Sequence, residues 1–210
     1  FPNLLKSALG TEAFSWILIL ELVIGVSIAF FQRTGAIRNF SDFIERRNMT
    51  RTRVQLAAWF MGMFVFFSDY FSPLFVGSTM RTLTDRFKVS REKLAYIVDA
   101  TAAPIAGISI FSTWVAYEIS MFKDQLPEVT RPDPITGELA PYAANEGFSV
   151  FLQTLPFRFY CIFTLIAVFL TILMRREFGP MLRAERRAIH EGKPLEDDAS
   201  PMVQGGFAAR

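Results

Sequence analysis

The chain has very little of the residues that carry most metal and nucleophilic chemistry. Its 210 residues include one cysteine and one histidine. Cys161 lies in an apolar segment, and with no second thiol it excludes an internal disulfide and a cysteine-based metal site. His190 lies in a polar segment where solvation is the simplest expectation. No nucleophile has a base nearby in sequence, so we predict that the protein is not an enzyme and has no cofactor.

The chain also lacks an excess of charge of either sign. The formal net charge is +2, and the basic residues cluster beside apolar runs, which argues against a nucleic acid partner. In contrast, 51% of the residues are hydrophobic, 23 of them are Phe, and the mean hydropathy is +0.30. This composition is typical of a membrane protein. The chain begins with Phe1 rather than Met, which predicts a piece of a longer protein.

The long apolar run 54–80 contains one acidic residue. Asp69 is accompanied by the hydroxyls of Ser68 and Ser72, and Pro73 follows. A carboxylate inside an apolar run is costly in lipid and usually has a function there. The pattern predicts an ion site at a chain reversal.

A second polar interruption lies in the apolar run 94–122. It contains Asp99, Thr101 and Pro104. Proline removes a backbone donor and disfavours helical angles in the residue before it, so the sequence predicts a helix broken near Pro104. Carbonyls freed at such breaks coordinate ions in secondary transporters. A continuous, proline-kinked helix in which Asp99 pairs with a neighbour is the alternative.

Charge patterning predicts the topology. Apolar runs at 13–31, which contains Glu21, at 94–122 and at 157–174 are about as long as a bilayer requires. Both flanks of 54–80 are basic, and basic flanks stay on the cytoplasmic side, which favours a hairpin that enters and leaves on one side. One long tilted span kinked at Pro73 is the alternative.

These patterns together predict an all-α membrane protein, with about three transmembrane helices, one re-entrant helical hairpin and a broken helix. This is half of an inverted-repeat transporter. Residues 1–174 would form the membrane transport domain and 175–210 a polar cytoplasmic tail. We expect a multi-pass protein of the cell (inner) membrane.

Several segments also resemble one family. The similarity covers most of the chain, and the block 90–104 is its most specific part; the similar segments are 66–71 with Gly77, 84–86, 90–104, 112–114, 177–181 and 185–187. They resemble the N-terminal half of NhaC-type sodium/proton antiporters. The resemblance implies sodium/proton exchange, in some relatives coupled to organic acids, and an architecture of re-entrant hairpins and broken helices. Glu177 departs from the family pattern, which often has Asp there.

The first functional hypothesis is a secondary active antiporter of Na⁺ and H⁺. Asp69 and Asp99 would alternate between the two ions, because burial favours the protonated carboxylate and a bound cation opposes protonation. The predicted ion-binding residues are Ser68, Asp69, Ser72, Asp99 and Thr101, with helix breaks at Pro73 and Pro104.

Two further hypotheses stay open. A sodium- or proton-coupled carrier of an organic anion such as malate or lactate would need a cation for its substrate, and Arg158 lies near the end of its run. A membrane scaffold without transport would not need buried carboxylates. The expected partners are membrane lipid, Na⁺ and H⁺, and the C-terminal half of the same protein; the sequence also allows a homodimer.

Overall fold

A computed structural model describes residues 49–66, 68–133 and 137–197, together with isolated positions between residues 10 and 34. Most of the predicted first span at 13–31, including Glu21, lies outside the described residues.

The described part of the chain is mostly helical. Its α-helices are α1 (Arg51–Phe64), α2 (Phe71–Arg86), α3 (Arg91–Ile108), α4 (Thr113–Phe122), α5 (Gly147–Thr154), α6 (Phe159–Met174) and α7 (Gly179–Arg186). Short 3₁₀ helices follow α4 (Lys123–Glu128), precede α5 (Ala144–Glu146) and follow it (Leu155–Phe157), and a π-helical turn (Arg187–Glu191) follows α7. Two short strands, β1 (Thr130–Pro132) and β2 (Leu139–Pro141), pair antiparallel with Arg131 opposite Ala140.

Hydroxyl side chains set where two of the long helices begin. The Thr50 side chain accepts a hydrogen bond from the Arg53 N–H at 3.4 Å, and the Ser90 side chain accepts one from the Lys93 N–H at 3.1 Å. Such caps satisfy backbone donors that have no partner inside the helix. These caps place the starts of α1 and α3 directly after Thr50 and Ser90.

The core lies where α1, α2, α3 and α6 pack together. Apolar residues recur on the inward face of each helix, and the buried cluster consists of Val54, Ala58, Val65, Phe71, Val76, Met80, Leu83, Leu94, Ile97, Val98, Val168 and Ile172. Residues 65–70 connect α1 to α2, and these two helices contact each other. The interruption at 65–70 therefore lies beside the core.

The predicted fold of three transmembrane helices, a re-entrant hairpin and a broken helix is wrong for the described part of the chain. No single helix there is both long and apolar enough to cross a membrane. The most apolar helix, α6, has 16 residues, or roughly 24 Å, against a hydrocarbon core of about 30 Å. The longer α3 includes four charged residues, among them Lys93 and Asp99.

Bends between helices explain why the apolar runs do not become single long helices. Two pairs of neighbouring helices are long and apolar enough for a membrane crossing, but only when the two helices of each pair are counted together. Arg91–Ile108 and Thr113–Glu128 are bent by 53°, and Gly147–Phe157 and Phe159–Met174 are bent by 44°. The apolar run 94–122 is thus divided between α3 and α4, which point in different directions.

Neither proline breaks a helix where the sequence predicts a break. Pro73 lies in the first turn of α2, where backbone N–H groups have no intrahelical partner, so its missing donor costs little. Pro104 lies inside α3, which continues to Ile108. Pro104 itself is buried, and buried Thr101 and Ile105 lie on the packed side of α3, so packing on both sides of the proline holds the helix together.

The segment after Met174 is not separate from the helices before it. Helix α7 contacts α3, and the Arg91 N–H donates to the Pro194 carbonyl at 3.0 Å. Residues 175–197 therefore pack against the start of α3, although the sequence predicts a polar tail from residue 175.

The closest approach of α1 and α3 gives a stability test. A Cβ atom at Gly62 would lie 2.2 Å from the Thr101 Oγ1 atom, so Gly62→Ala must move the two helices apart. We expect a loss of about 1–3 kcal/mol in the free energy of unfolding, measured by urea denaturation.

Gly77→Ala is the matched control, because nothing lies within 4 Å of a Cβ atom at this helical position. It should raise the free energy of unfolding by about 0.5–1 kcal/mol. Equal stability of the two variants would contradict the close packing at Gly62.

Candidate functional site

The turn between α1 and α2 holds three of the predicted ion-binding residues. Ser68 is buried, and its hydroxyl accepts a hydrogen bond from the Phe71 N–H at 3.3 Å. The Ser72 N–H donates to the Ser68 carbonyl at 3.2 Å, which starts α2. Asp69 lies between these two serines and is half-buried. The structure therefore brings Ser68, Asp69 and Ser72 together at one helix start.

The Ser72 hydroxyl has an unusual environment. Its residue is 0% exposed, and its Oγ atom has no hydrogen-bond partner within the described residues. A buried polar group without a partner costs free energy, so native structures rarely keep one without a reason. Ser72 lies within one helical turn of Asp69 along the chain.

Thr101 and Asp99, from the second polar interruption, lie on α3 in contrasting places. Thr101 is fully buried, and its hydroxyl is within 2.8 Å of the Ile97 carbonyl and 3.1 Å of the Val98 carbonyl. This hydroxyl donates within its own helix, and the side chain packs against Gly62. Asp99 is exposed and forms no ion pair with any described residue. Of the two predicted ion-binding residues on α3, Thr101 is thus buried and Asp99 is exposed.

A site made of ionisable ligands alone is not found in the described chain. No group of three or more His, Cys, Asp or Glu side chains there could hold a metal ion together. A cation at the α1–α2 turn would therefore depend on one carboxylate with hydroxyl and carbonyl oxygens. Oxygen ligands of this kind suit hard cations rather than transition metals.

Sequence reasoning missed an ionic cluster at the other end of α1. Lys93 is 0% exposed, and its ammonium lies 2.7 Å from Glu177 Oε1 and 3.3 Å from Thr171 Oγ1. It also lies 5.0 Å from the centre of the Tyr96 ring. A buried ammonium needs such partners, because desolvation of an isolated charge is very costly.

Glu185 of α7 joins the same cluster. It is 3% exposed, accepts a hydrogen bond from the Ser90 N–H at 2.8 Å and forms an ion pair with Arg51. In a capping box, the glutamate three residues after the cap makes this bond to the cap N–H. Lys93 occupies that position here, and Glu185 supplies the carboxylate from 95 residues away.

Surface-facing ion pairs extend the cluster around the start of α3. Arg187 contacts Glu92 at 2.6 Å, and this hydrogen bond raises the pKa of Arg187. Arg91 donates to both carboxylate oxygens of Asp85, at 3.2 and 3.0 Å. The only local signal for this cluster was Lys93 itself, which shares a helical face with buried Ile97 and Thr101.

Arg158 links the two bent helix pairs. It lies at the bend before α6, donates to the Gly107 carbonyl at 2.8 Å and forms an ion pair with Glu118 of α4. Gly107 lies near the end of α3, just before the other bend. In the sequence Arg158 lies near the end of an apolar run, and the structure places its guanidinium between two helix ends.

Comparisons with known proteins add one relative. An uncharacterized protein of Haemophilus influenzae is 35% identical over 191 residues, which is 90% of this chain and 34% of that protein. The chain therefore spans about a third of the length of the curated relative it matches. No family model matches the chain, and no solved structure matches it. The relative's name gives no activity, so the resemblance to sodium/proton antiporters stays a prediction.

The buried ion pair gives a second test. Lys93→Met leaves the Glu177 carboxylate without its cation and should lower the free energy of unfolding by about 3–5 kcal/mol. The double variant Lys93→Met/Glu177→Met should recover much of this loss, because neither charge remains. Thermal denaturation of the four proteins in the double-mutant cycle measures the coupling.

The exposed pair of Lys193 and Asp197 serves as the control, because solvent screens it. Lys193→Met should change stability little. Additive effects of Lys93→Met and Glu177→Met would show that the two buried groups do not interact.

Proposed function

We propose that the chain is a membrane-embedded part of a larger secondary transporter that exchanges Na⁺ for H⁺. Asp69 and Asp99 are its shared carboxylates. The observation that carries the proposal is the buried Ser72 hydroxyl, which lacks a partner among the described residues beside the half-buried Asp69. The similarity of several segments to sodium/proton antiporters agrees with this proposal.

Placement in the cell (inner) membrane is supported by the surface of α6. This helix has no charged residue over its 16 residues, yet large apolar side chains on it are exposed, including Phe163, Ile166 and Leu170. An exposed apolar surface of this kind favours contact with lipid or with protein outside this chain. Arg175 follows the helix at its C-terminal end, where a cationic side chain can reach headgroups.

Exchange follows because Na⁺ and H⁺ compete for one carboxylate, that of Asp69. When Asp69 is ionised, its oxygens together with the Ser68 carbonyl and the Ser72 hydroxyl can hold a hard cation. When Asp69 takes a proton, the carboxyl group becomes neutral and no longer attracts Na⁺. Asp99, on the neighbouring α3, takes part in the same exchange through residues beyond this chain.

The alternative, a carrier of an organic anion, gains less support. The guanidinium nearest to the bends, that of Arg158, is already neutralised by Glu118. A substrate carboxylate would have to displace this partner. Uptake of labelled malate or lactate with and without a sodium gradient distinguishes the two functions.

Asp69 is the first target for a functional test. Asp69→Asn in the full-length protein should abolish sodium-dependent proton movement in proteoliposomes, because the amide cannot exchange a proton for a cation. Asp124→Asn, at an exposed position outside the turn, should retain full activity. Wild-type exchange by Asp69→Asn would rule out this carboxylate.

Ser72 gives a more graded test. Ser72→Ala removes an oxygen that makes no hydrogen bond in the described structure, so stability should stay the same or rise. The Na⁺ concentration for half-maximal exchange should increase by about tenfold, equivalent to the roughly 1.4 kcal/mol of one lost ligand.

Ser78→Ala is the matched control on the same helix, because the Ser78 hydroxyl donates to the Leu74 carbonyl at 2.6 Å. Its sodium dependence should not change. An unchanged sodium dependence in Ser72→Ala would remove this hydroxyl from the ion site.

A further inference from the structure

A small cavity lies between the start of α1, the end of α6 and α7. Its volume is about 80 Å³, and its polar lining includes Arg51, Gln55, Arg175, Glu177, Glu185 and Arg186. One water molecule needs about 10–15 Å³ measured in this way, so the cavity can hold an ion of several heavy atoms.

The charges around the cavity favour an anion. Three arginines face two glutamates in the lining. Both carboxylates already have partners, since Glu177 is bound by Lys93 and Glu185 by Arg51 and the Ser90 N–H. Arg175 therefore adds a positive charge to the cavity that neither of these glutamates pairs with.

Gln55 adds a neutral polar group to the lining. It lines the cavity and is 4% exposed. An oxygen atom in the cavity would accept a hydrogen bond from its NH₂ group.

Arg175 lines the same cavity from a strained backbone position. It ends α6 with φ of 54°, a left-handed conformation that glycine normally adopts at this position. Its guanidinium forms no ion pair with the described residues. Burial lowers the pKa of Arg51, Glu177 opposes this shift, and the like charge of Arg175 adds to it. A bound anion would remove this repulsion.

We propose that this cavity binds a phosphate group, supplied either as inorganic phosphate or as the headgroup of an anionic phospholipid. Guanidinium groups match the oxygens of phosphate with paired, charge-assisted hydrogen bonds. Arg175 supplies these donors. Arg51, which already binds Glu185, adds positive charge beside it, and Gln55 adds a neutral amide. The lipid source rests on the proposed membrane location, because it places headgroups beside the Met174 end of α6.

Thermal unfolding of the full-length protein tests the proposal. In phosphatidylcholine nanodiscs, potassium phosphate should raise the unfolding temperature relative to potassium chloride at equal ionic strength. If the source is lipid, phosphatidylglycerol nanodiscs should raise it instead. No increase in either arm overturns the proposal.

Arg175→Gly separates binding from folding. Glycine suits the left-handed position, so the variant should be at least as stable as wild type without phosphate, while its affinity for phosphate or phosphatidylglycerol falls at least tenfold. Gln55→Met, which keeps the side-chain volume, should also weaken binding. Full retention of the temperature shift in both variants overturns the proposal.

Arg176→Gln is the matched control, because Arg176 is exposed and adjacent in sequence but does not line the cavity. This variant should show the full increase in unfolding temperature. If Arg176→Gln lost as much of the increase as Arg175→Gly, the binding would be due to a diffuse basic surface, and this would also overturn the proposal. Failure of sodium/proton exchange would leave this result intact, since the readout does not depend on transport.

Discussion

Burial of the Lys93 ammonium constrains the arrangement of the helices around it. Lys93 lies in the first turn of α3, where the helix dipole disfavours a positive charge. A fully buried cation at that place requires a carboxylate, and Glu177 reaches it from the segment after α6. This requirement fixes the end of α6 against the start of α3. Glu185 adds to the same constraint, because it caps the Ser90 N–H and binds Arg51 of α1.

This ionic end and the α1–α2 turn lie at opposite ends of α1. Fourteen residues of helix separate them, which is roughly 21 Å. At the ionic end, the two buried carboxylates are bound by cations and a backbone N–H. At the turn, the Ser72 hydroxyl is buried and no described residue satisfies it. The carboxylates at the ionic end thus already have partners, whereas the hydroxyl at the turn remains open to a cation.

The bends explain how apolar sequence and short helices coexist. The long apolar run 94–122 changes direction between α3 and α4, and Arg158 joins this bend to the one before α6 through the Gly107 carbonyl and Glu118. The backbone groups freed at the bends need partners, and this guanidinium supplies donors to one of them. Arg158 therefore stabilises the contact between helix ends rather than a substrate.

Local patterns in the sequence determined several features of this protein. The Ser90 hydroxyl caps α3, the polar residues at 68–72 interrupt the helix between α1 and α2, and α6 begins within two residues of its predicted start and ends at Met174. These features depend on residues close in sequence. Only the tertiary structure decided the rest. Helix α3 passes through Pro104 because packing holds both of its sides, and Lys93 acquires Glu177 and Thr171 because distant segments meet. Such contacts join residues about 80 positions apart, and no local pattern encodes them.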